Sequence, residues 1–235
     1  MQIVVLAGGL GTRMLPLTRD VPKFLLDVAG RPFAWWLLER LASQGFDEAI
    51  VCVGYLGDEI RGAVGDGARF GLRVRYADEG PVLLGTAGAL RSAIDLLDEA
   101  FVVTYGDSYL PFDYRAPLDA LRGAPSALGA MAVFENRDAI EPSNTAVSEG
   151  RVRRYDKTRA PGEPPLDHID YGAMALRREV VAALPAGEPL GLDRVQADLA
   201  RRGALLAVTA RDRFFEIGSP GGRADLEAHL ARRGA

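Results

Sequence analysis

The feature that most constrains this chain is a change of hydrophobic period, repeated many times along its first half. Short apolar runs with no polar face alternate with segments of helical period. "QIVVLA" opens the chain, "EAIVCVG" and "AFVVTYGD" repeat the pattern, and "SALGAMAVFE" follows. Between them, "RPFAWWLLERLASQG" predicts a helix with Pro32 in its first turn and Gly45 just past its end. "GDEIRGAVGDG" predicts a short amphipathic helix, "LRVRYADE" an alternating strand, and "GTAGALRSAIDLL" a helix opened by small residues. Strands that are apolar on both faces need helices on both faces. The expectation is a Rossmann-like three-layer αβα fold around a mostly parallel mixed sheet. In such sheets ligands sit beyond the carboxyl ends of the strands. Gly8, Gly54 and Asp107 all fall just past strand ends and can line one crevice.

After about residue 135 the texture changes. "NTAVSEGRVRRYDK" reads as two short strands about a Glu-Gly turn, and "RAPGEPPLD" as a proline-rich surface loop. "HIDYGAMAL" returns as a strand, then "RREVVAAL" and "LDRVQADLARRG" as helices and "RFFEIG" as a strand. "SPGGRADLEAHLARRG" predicts a closing helix, capped by Ser219 with Pro220 in first position. No repeat or linker divides the chain. All 235 residues are expected to form one domain, with residues 1–135 and 136–235 as its two halves.

A glycine-rich turn follows the first strand, and composition narrows what it can serve. The net charge of −4 argues against nucleic acid held by bulk positive charge, so an anionic ligand must meet a few placed cations. Cys52 is the lone cysteine and reads as a buried thiol, and His168 and His229 show no zinc-ligand spacing. No run approaches the ~20 apolar residues of a membrane span, and a soluble cytoplasmic protein is expected. The turn "AGGLGTR" is not a P-loop. Nor is it a dinucleotide fingerprint: its glycines fall at 8, 9 and 11, and the second strand ends "VCVGY" without a ribose-binding acid. Bare backbone N–H groups can still approach phosphate, with Arg13 supplying a planar fork and Lys23 a point charge.

The stretch resembles the signature of the nucleoside-triphosphate:sugar-1-phosphate nucleotidyltransferases. It stands here as Ala7-Gly8-Gly9-Leu10-Gly11-Thr12-Arg13, Pro16-Leu17-Thr18 and Pro22-Lys23. "GTAGAL", "YGDSYL", "YDK", "DYG" and "EIGSP" follow in family order across nearly the whole chain. The resemblance implies transfer of a nucleoside monophosphate to a sugar 1-phosphate, with release of pyrophosphate. The partners implied are small molecules, a nucleoside triphosphate and a sugar 1-phosphate, and the sugar pocket would lie in a small β subregion of the second half.

By the same resemblance, Arg13, Lys23 and Asp107 are the catalytic candidates. Leu6, Ala7, Gly8, Gly9, Gly11, Thr12, Arg13, Lys23, Glu79, Gly85, Thr86 and Gly88 would surround the nucleotide. Asn144, Asp156, Lys157, Asp170 and Gly172 would meet the sugar phosphate. Asp107 and Glu216 would hold Mg²⁺. "GTAGAL" also fits close helix packing, and Glu216 also fits the start of the closing helix beside Ser219. No role is expected for Arg153, Arg154 or Arg159.

Two departures from the family pattern stand out. The late metal acid is Glu216 where the family most often has Asp, and Ala87 stands where the family often has Gly. The look of the motifs favours the heptose- or cyclitol-1-phosphate guanylyltransferase branch, with GTP as donor. The alternatives are a uridylyltransferase for a muramic-acid-type 1-phosphate, a transferase loading molybdopterin, and a nucleotide-sensing domain without turnover. Oligomeric state is not legible, because no apolar stripe can be assigned to a partner rather than to the core.

Overall fold

The computed structural model describes residues 1–80, 82–159, 163 and 166–232. Its centre is a nine-stranded sheet. The strands are β1 (Gln2–Leu6), β4 (Glu48–Val53), β5 (Arg73–Asp78), β6 (Ala100–Tyr105), β8 (Gly129–Glu135), β9 (Thr145–Ser148), β10 (Arg151–Tyr155), β11 (His168–Arg177) and β12 (Leu205–Ala210). Two small ribbons stand apart from it: β2 (Asp27–Val28) with β3 (Arg31–Pro32), and β7 (Ser108–Tyr109) with β13 (Phe215–Glu216).

The sheet order is β5-β4-β1-β6-β11-β8-β12-β10-β9. The four strands from β5 to β6 are parallel: β1, β4 and β6 are apolar on both faces, and the alternating β5 closes the edge. Beyond β6 the sheet becomes mixed: β11 runs antiparallel to both β6 and β8, while β12 is parallel to β8.

Helices cover both faces. On one, α1 (Phe33–Ser43), α2 (Gly57–Val64), α4 (Ala116–Arg122) and α7 (Pro220–Arg232) bury Leu37, Ile60, Leu118 and Leu226 against the strands. On the other, α3 (Gly85–Ser92), α5 (Arg178–Ala182) and α6 (Leu192–Arg201) bury Leu90, Val181 and Leu199. Each layer repeats the rule that an apolar stripe must find a sheet face.

Several expectations are corrected. Pro32 precedes α1 in extended conformation, at φ −54° and ψ 135°, and the helix begins at Phe33. The helix begun at Gly85 ends at Ser92 and is followed by a separate 3-10 turn, Ile94–Leu96. "RFFEIG" contributes only two residues of strand, and these pair with β7 rather than extending the large sheet. Strand β12 and helix α4 were not anticipated. Most of "RAPGEPPLD" lies outside the described residues. The closing helix starts at Pro220 as expected, and Ser219 Oγ accepts from the Gly222 N–H at 3.1 Å. No helix among the described residues is long and apolar enough to cross a membrane.

Candidate active site

Strand β1 lies between β4 and β6, with Leu6 opposite both Cys52 and Tyr105. All three strands end level, and small residues follow each. A side chain on Gly8 would strike the Glu79 carboxylate, one on Gly54 would lie 3.1 Å from the Gly8 carbonyl oxygen, and one on Gly106 only 2.9 Å from the Leu6 carbonyl oxygen. The backbones therefore approach too closely for any Cβ, and this closeness shapes the crevice. A cavity of about 220 Å³ opens there, lined by Leu6, Ala7, Gly8, Gly9, Lys23, Phe24, Glu79, Leu83, Gly85, Thr86, Tyr105, Gly106 and Asp107, among others.

The two halves of the chain supply the charges at its mouth. Lys23 Nζ donates to Asp107 Oδ2 at 2.6 Å, and both side chains are largely shielded from solvent. The β7–β13 ribbon pairs Glu216 with Ser108, and the Ile217 N–H donates to the Asp107 carbonyl at 2.9 Å. Asp107 and Glu216 are thus neighbours although 109 residues separate them in sequence. Burial, followed by the like charges of Asp107 and Glu141, pushes the Glu216 carboxyl up to about 7, against the opposing pull of Arg13 and Lys23.

Gly218 keeps this corner open. A Cβ there would lie 3.1 Å from Arg13 Nη2 and 3.9 Å from Asp107 Oδ2. Two adjacent carboxylates, one of them reluctant to ionise, are the donor set that a hard divalent cation stabilises. No group of three or more His, Cys, Asp or Glu side chains suited to a metal occurs among the described residues.

Arg13 and Thr12 lie exposed on the glycine turn, and Gly11, at φ +63°, holds that turn against Thr18, whose hydroxyl donates to the Gly11 carbonyl at 2.8 Å. Glu79 Oε2 accepts from the Leu84 N–H at 3.1 Å, and burial raises the Glu79 carboxyl above its ordinary range. Thr86 Oγ1 accepts from the Leu192 N–H at 2.7 Å, tying α3 to the start of α6. Gly88 does not line the cavity. It is buried away from the cavity, and a Cβ would press on Leu84 Cβ at 2.6 Å and the Glu188 carbonyl at 3.1 Å. Its bareness serves packing.

The sugar-side candidates gather on the ends of β9, β10 and β11. The Asn144 side-chain oxygen accepts from the Asp170 N–H at 2.9 Å, and its carbonyl accepts from the Asp156 N–H at 2.8 Å, so Asn144 ties the two acids' backbones together. Gly172, at φ +98°, lets its own N–H turn back to Asp170 Oδ1 at 3.0 Å. Asp156 accepts from Arg154 at 2.8 Å, and that contact lowers its carboxyl. Arg154, given no role from sequence, therefore holds a site candidate. Lys157 is exposed, and its charge bears on Asp170. Sequence reading also passed over Tyr105, which lines the cavity, and Gln196, whose amide donates to Asp170 Oδ2 at 2.7 Å.

A glycine-lined crevice at strand ends, with two cations and a carboxylate pair beside it, is an arrangement suited to an anionic ligand on an α/β fold. Comparison with known proteins identifies the family. Residues 2–143 match the family "Nucleotidyl transferase", and the chain belongs to it. The N-acetylmuramate alpha-1-phosphate uridylyltransferase of Neisseria meningitidis is 39% identical over 131 residues, taking in 55% of this chain and 57% of that protein. The enzyme of the same name from Caulobacter vibrioides is 31% identical over 97% of this chain and 96% of its own length. Relatives named for guanylyl and thymidylyl transfer match as well. Among solved structures, HddC from Yersinia pseudotuberculosis complexed with GMP-PN superposes with a TM-score of 0.79 at 24% identity, covering 97% of this chain and 99% of that one. It has the same fold.

Proposed function

We propose that the protein transfers a nucleoside monophosphate, with GTP as the donor, to a sugar 1-phosphate, releasing pyrophosphate. The observation that carries this is the meeting of Lys23 and Asp107, on the wall of the glycine-lined cavity, with Arg13 and Glu216, on the wall of the pocket beside it. A phosphate oxygen of the sugar 1-phosphate attacks the α-phosphorus, and the bond to pyrophosphate breaks. The obstacle is the approach of a dianion to a polyanion. Positioning and charge neutralisation therefore supply most of the catalysis.

Arg13 neutralises the triphosphate from the turn, and Lys23 faces the reacting phosphate from the opposite loop. Lys157 meets the sugar phosphate. Asp107 and Glu216 would hold Mg²⁺, which usually binds through one or two carboxylates together with substrate phosphates. Bound there, the ion would offset phosphate charge as a Lewis acid.

Glu79 supports GTP over UTP. Its carboxylate lies against Gly8 in the cavity wall and only accepts hydrogen bonds when ionised. Guanine offers two adjacent N–H donors on one edge, whereas uracil offers a single N–H flanked by carbonyls. The second reading, uridylyl transfer to an N-acetylmuramate-type phosphate, is favoured by the full-length relative from Caulobacter.

Pyrophosphate release tests the proposal, using four nucleoside triphosphates against a panel of sugar 1-phosphates with Mg²⁺. GTP should give the highest kcat/KM. Lys23→Ala should lower kcat by ~10²–10³, the cost of removing one placed donor, and leave nucleotide affinity within a few-fold. Turnover with UTP alone would transfer the conclusion to the second reading.

A further inference from the structure

Of the 28 lysine and arginine side chains in the sequence only two are lysines, Lys23 and Lys157, and both fall among the site residues. Everywhere else the chain uses arginine. The two cations hold an anion differently. Arginine grips a carboxylate with a planar fork of fixed donors, whereas lysine presents a compact point charge on a flexible stem. Lysine is the cation that changes partners more readily.

The surroundings of Lys23 fix its backbone and leave its head free. Lys23–Leu25 forms a 3-10 turn behind Pro22. The Leu25 N–H donates to the Pro22 carbonyl at 2.8 Å and the Leu26 N–H to the Lys23 carbonyl at 3.1 Å. Phe24, buried, packs edge-on against Phe33 and pins the turn to α1. From that anchor the stem reaches the cavity wall, where the ammonium donates to Asp107 Oδ2 at 2.6 Å. The other oxygen, Oδ1, accepts from the buried Ser108 hydroxyl at 3.3 Å. The Asp107 carbonyl is held by the Ile217 N–H, so the residue is fixed at both ends. The carboxylate oxygen not turned to Ser108 is therefore the one that Lys23 covers.

This pairing joins two groups to which the transferase reading gives different partners: Lys23 the reacting phosphate, Asp107 the Mg²⁺. The pair is largely shielded from solvent, and a unit positive charge so close to Oδ2 opposes any second cation at that carboxylate. Lys23 must let go of Asp107 before both can act.

We infer that Lys23 is a displaceable counter-ion: it guards Asp107 against a divalent cation and moves to substrate phosphate as metal and nucleotide enter together. The inference rests on the transferase reading and its Mg²⁺ placement, and names a regulation of that site. It also accounts for a lysine in an arginine-rich chain. An arginine in its place would neutralise phosphate as well, but its fork would close on the carboxylate and hold it.

Mn²⁺ binding to the nucleotide-free full chain, followed by electron paramagnetic resonance, tests this. Lys23→Met keeps the stem and removes the charge. It should tighten the Mn²⁺ Kd by about tenfold or more, the effect of one adjacent unit charge on a carboxylate. Lys23→Arg keeps the charge and should weaken binding several-fold. A general effect of nearby positive charge would leave Lys23→Arg at the wild-type Kd, and that outcome overturns the inference, as does an unchanged Kd in Lys23→Met. A second readout uses the wild-type protein. With two lysines in the chain, carbon-13 labelling at lysine Cε gives two side-chain signals, which Lys157→Ala assigns. Saturating Mg²⁺ without nucleotide should shift the Lys23 signal and leave that of Lys157 in place. A Lys23 signal that stays put while Mg²⁺ binds overturns the inference even where a variant at this position fails to fold. Mn²⁺ binding undiminished in Asp107→Asn is a different failure: it refutes the metal placement of the transferase reading, and the inference with it.

Discussion

Glu216→Gln should make the metal-free protein more stable and the enzyme worse. Burial and Asp107 raise the Glu216 carboxyl from 4.5 to about 7. At about 1.4 kcal/mol per tenfold in proton affinity, the ionised form carries a cost of up to about 3 kcal/mol. Solvent reaching a part-buried group reduces this to about 1.5–3 kcal/mol. The sign follows from proton linkage. Between the unfolded and folded values the native state binds the extra proton, so stability falls as pH rises through that window. Below 4.5 there is no cost, and above about 7 it is complete. The glutamine variant lacks this group, so wild type and variant should melt together near pH 4. At pH 8 with chelator the variant should melt higher, by about 3–12 °C at ~2–4 °C per kcal/mol for a chain of this size. Mg²⁺ should close the gap by stabilising wild type alone, and the variant should need more Mg²⁺ for a lower kcat. Scanning calorimetry at both pH values, with chelator and with Mg²⁺, decides the matter. A melting difference that does not change with pH, or an unaltered Mg²⁺ requirement, would refute the account and return Glu216 to a mere helix-start acid.

Two further outcomes follow from placement. Lys157→Ala should raise KM for sugar 1-phosphate at least tenfold while calorimetry shows nucleotide affinity unchanged; lost nucleotide affinity would mean the two halves do not divide the substrates. Gly88→Ala should cost ~1–3 kcal/mol of stability by overpacking against Leu84 and Glu188, with nucleotide affinity of the folded protein unaltered, whereas a nucleotide contact at Gly88 would show as weaker binding at full stability.

The first half of the fold was legible because its signals are local. A strand buried on both faces is an unbroken apolar run, and "QIVVL" and "EAIVCV" are completely buried. The crevice followed from where those runs end. What local patterns cannot give is a pairing partner. Nothing in "RFFEIG" says that Phe215 and Glu216 leave the large sheet to pair with Ser108 and Tyr109, yet that ribbon sets the two carboxylates side by side. Strand β12 was hidden for a related reason. "LLAVTA" is short, half-buried and directly follows a helix, so its period is lost in the preceding one. Gly88 lies between the two readings that "GTAGAL" allows: a Cβ there would press on Leu84 and on the Glu188 carbonyl, contacts between segments that no local pattern reveals.

Gln196 left a mark in the sequence that can be read. Helix α6 buries Leu192, Val195, Gln196, Leu199 and Ala200, the spacing of one helical face. Four of these five positions are apolar, and the fifth is a glutamine. A polar side chain on the apolar stripe of an otherwise regular helix must find a partner inside, because leaving it unpaired costs more than a leucine would gain. Its partner must therefore belong to a strand end beneath α6, and Asp170, at the bend of β11, is where the amide reaches. The hold on the Asp170 carboxylate thus begins with one residue that breaks the helix's own pattern. Replacing it by the leucine that the pattern asks for should keep the fold and release the acid.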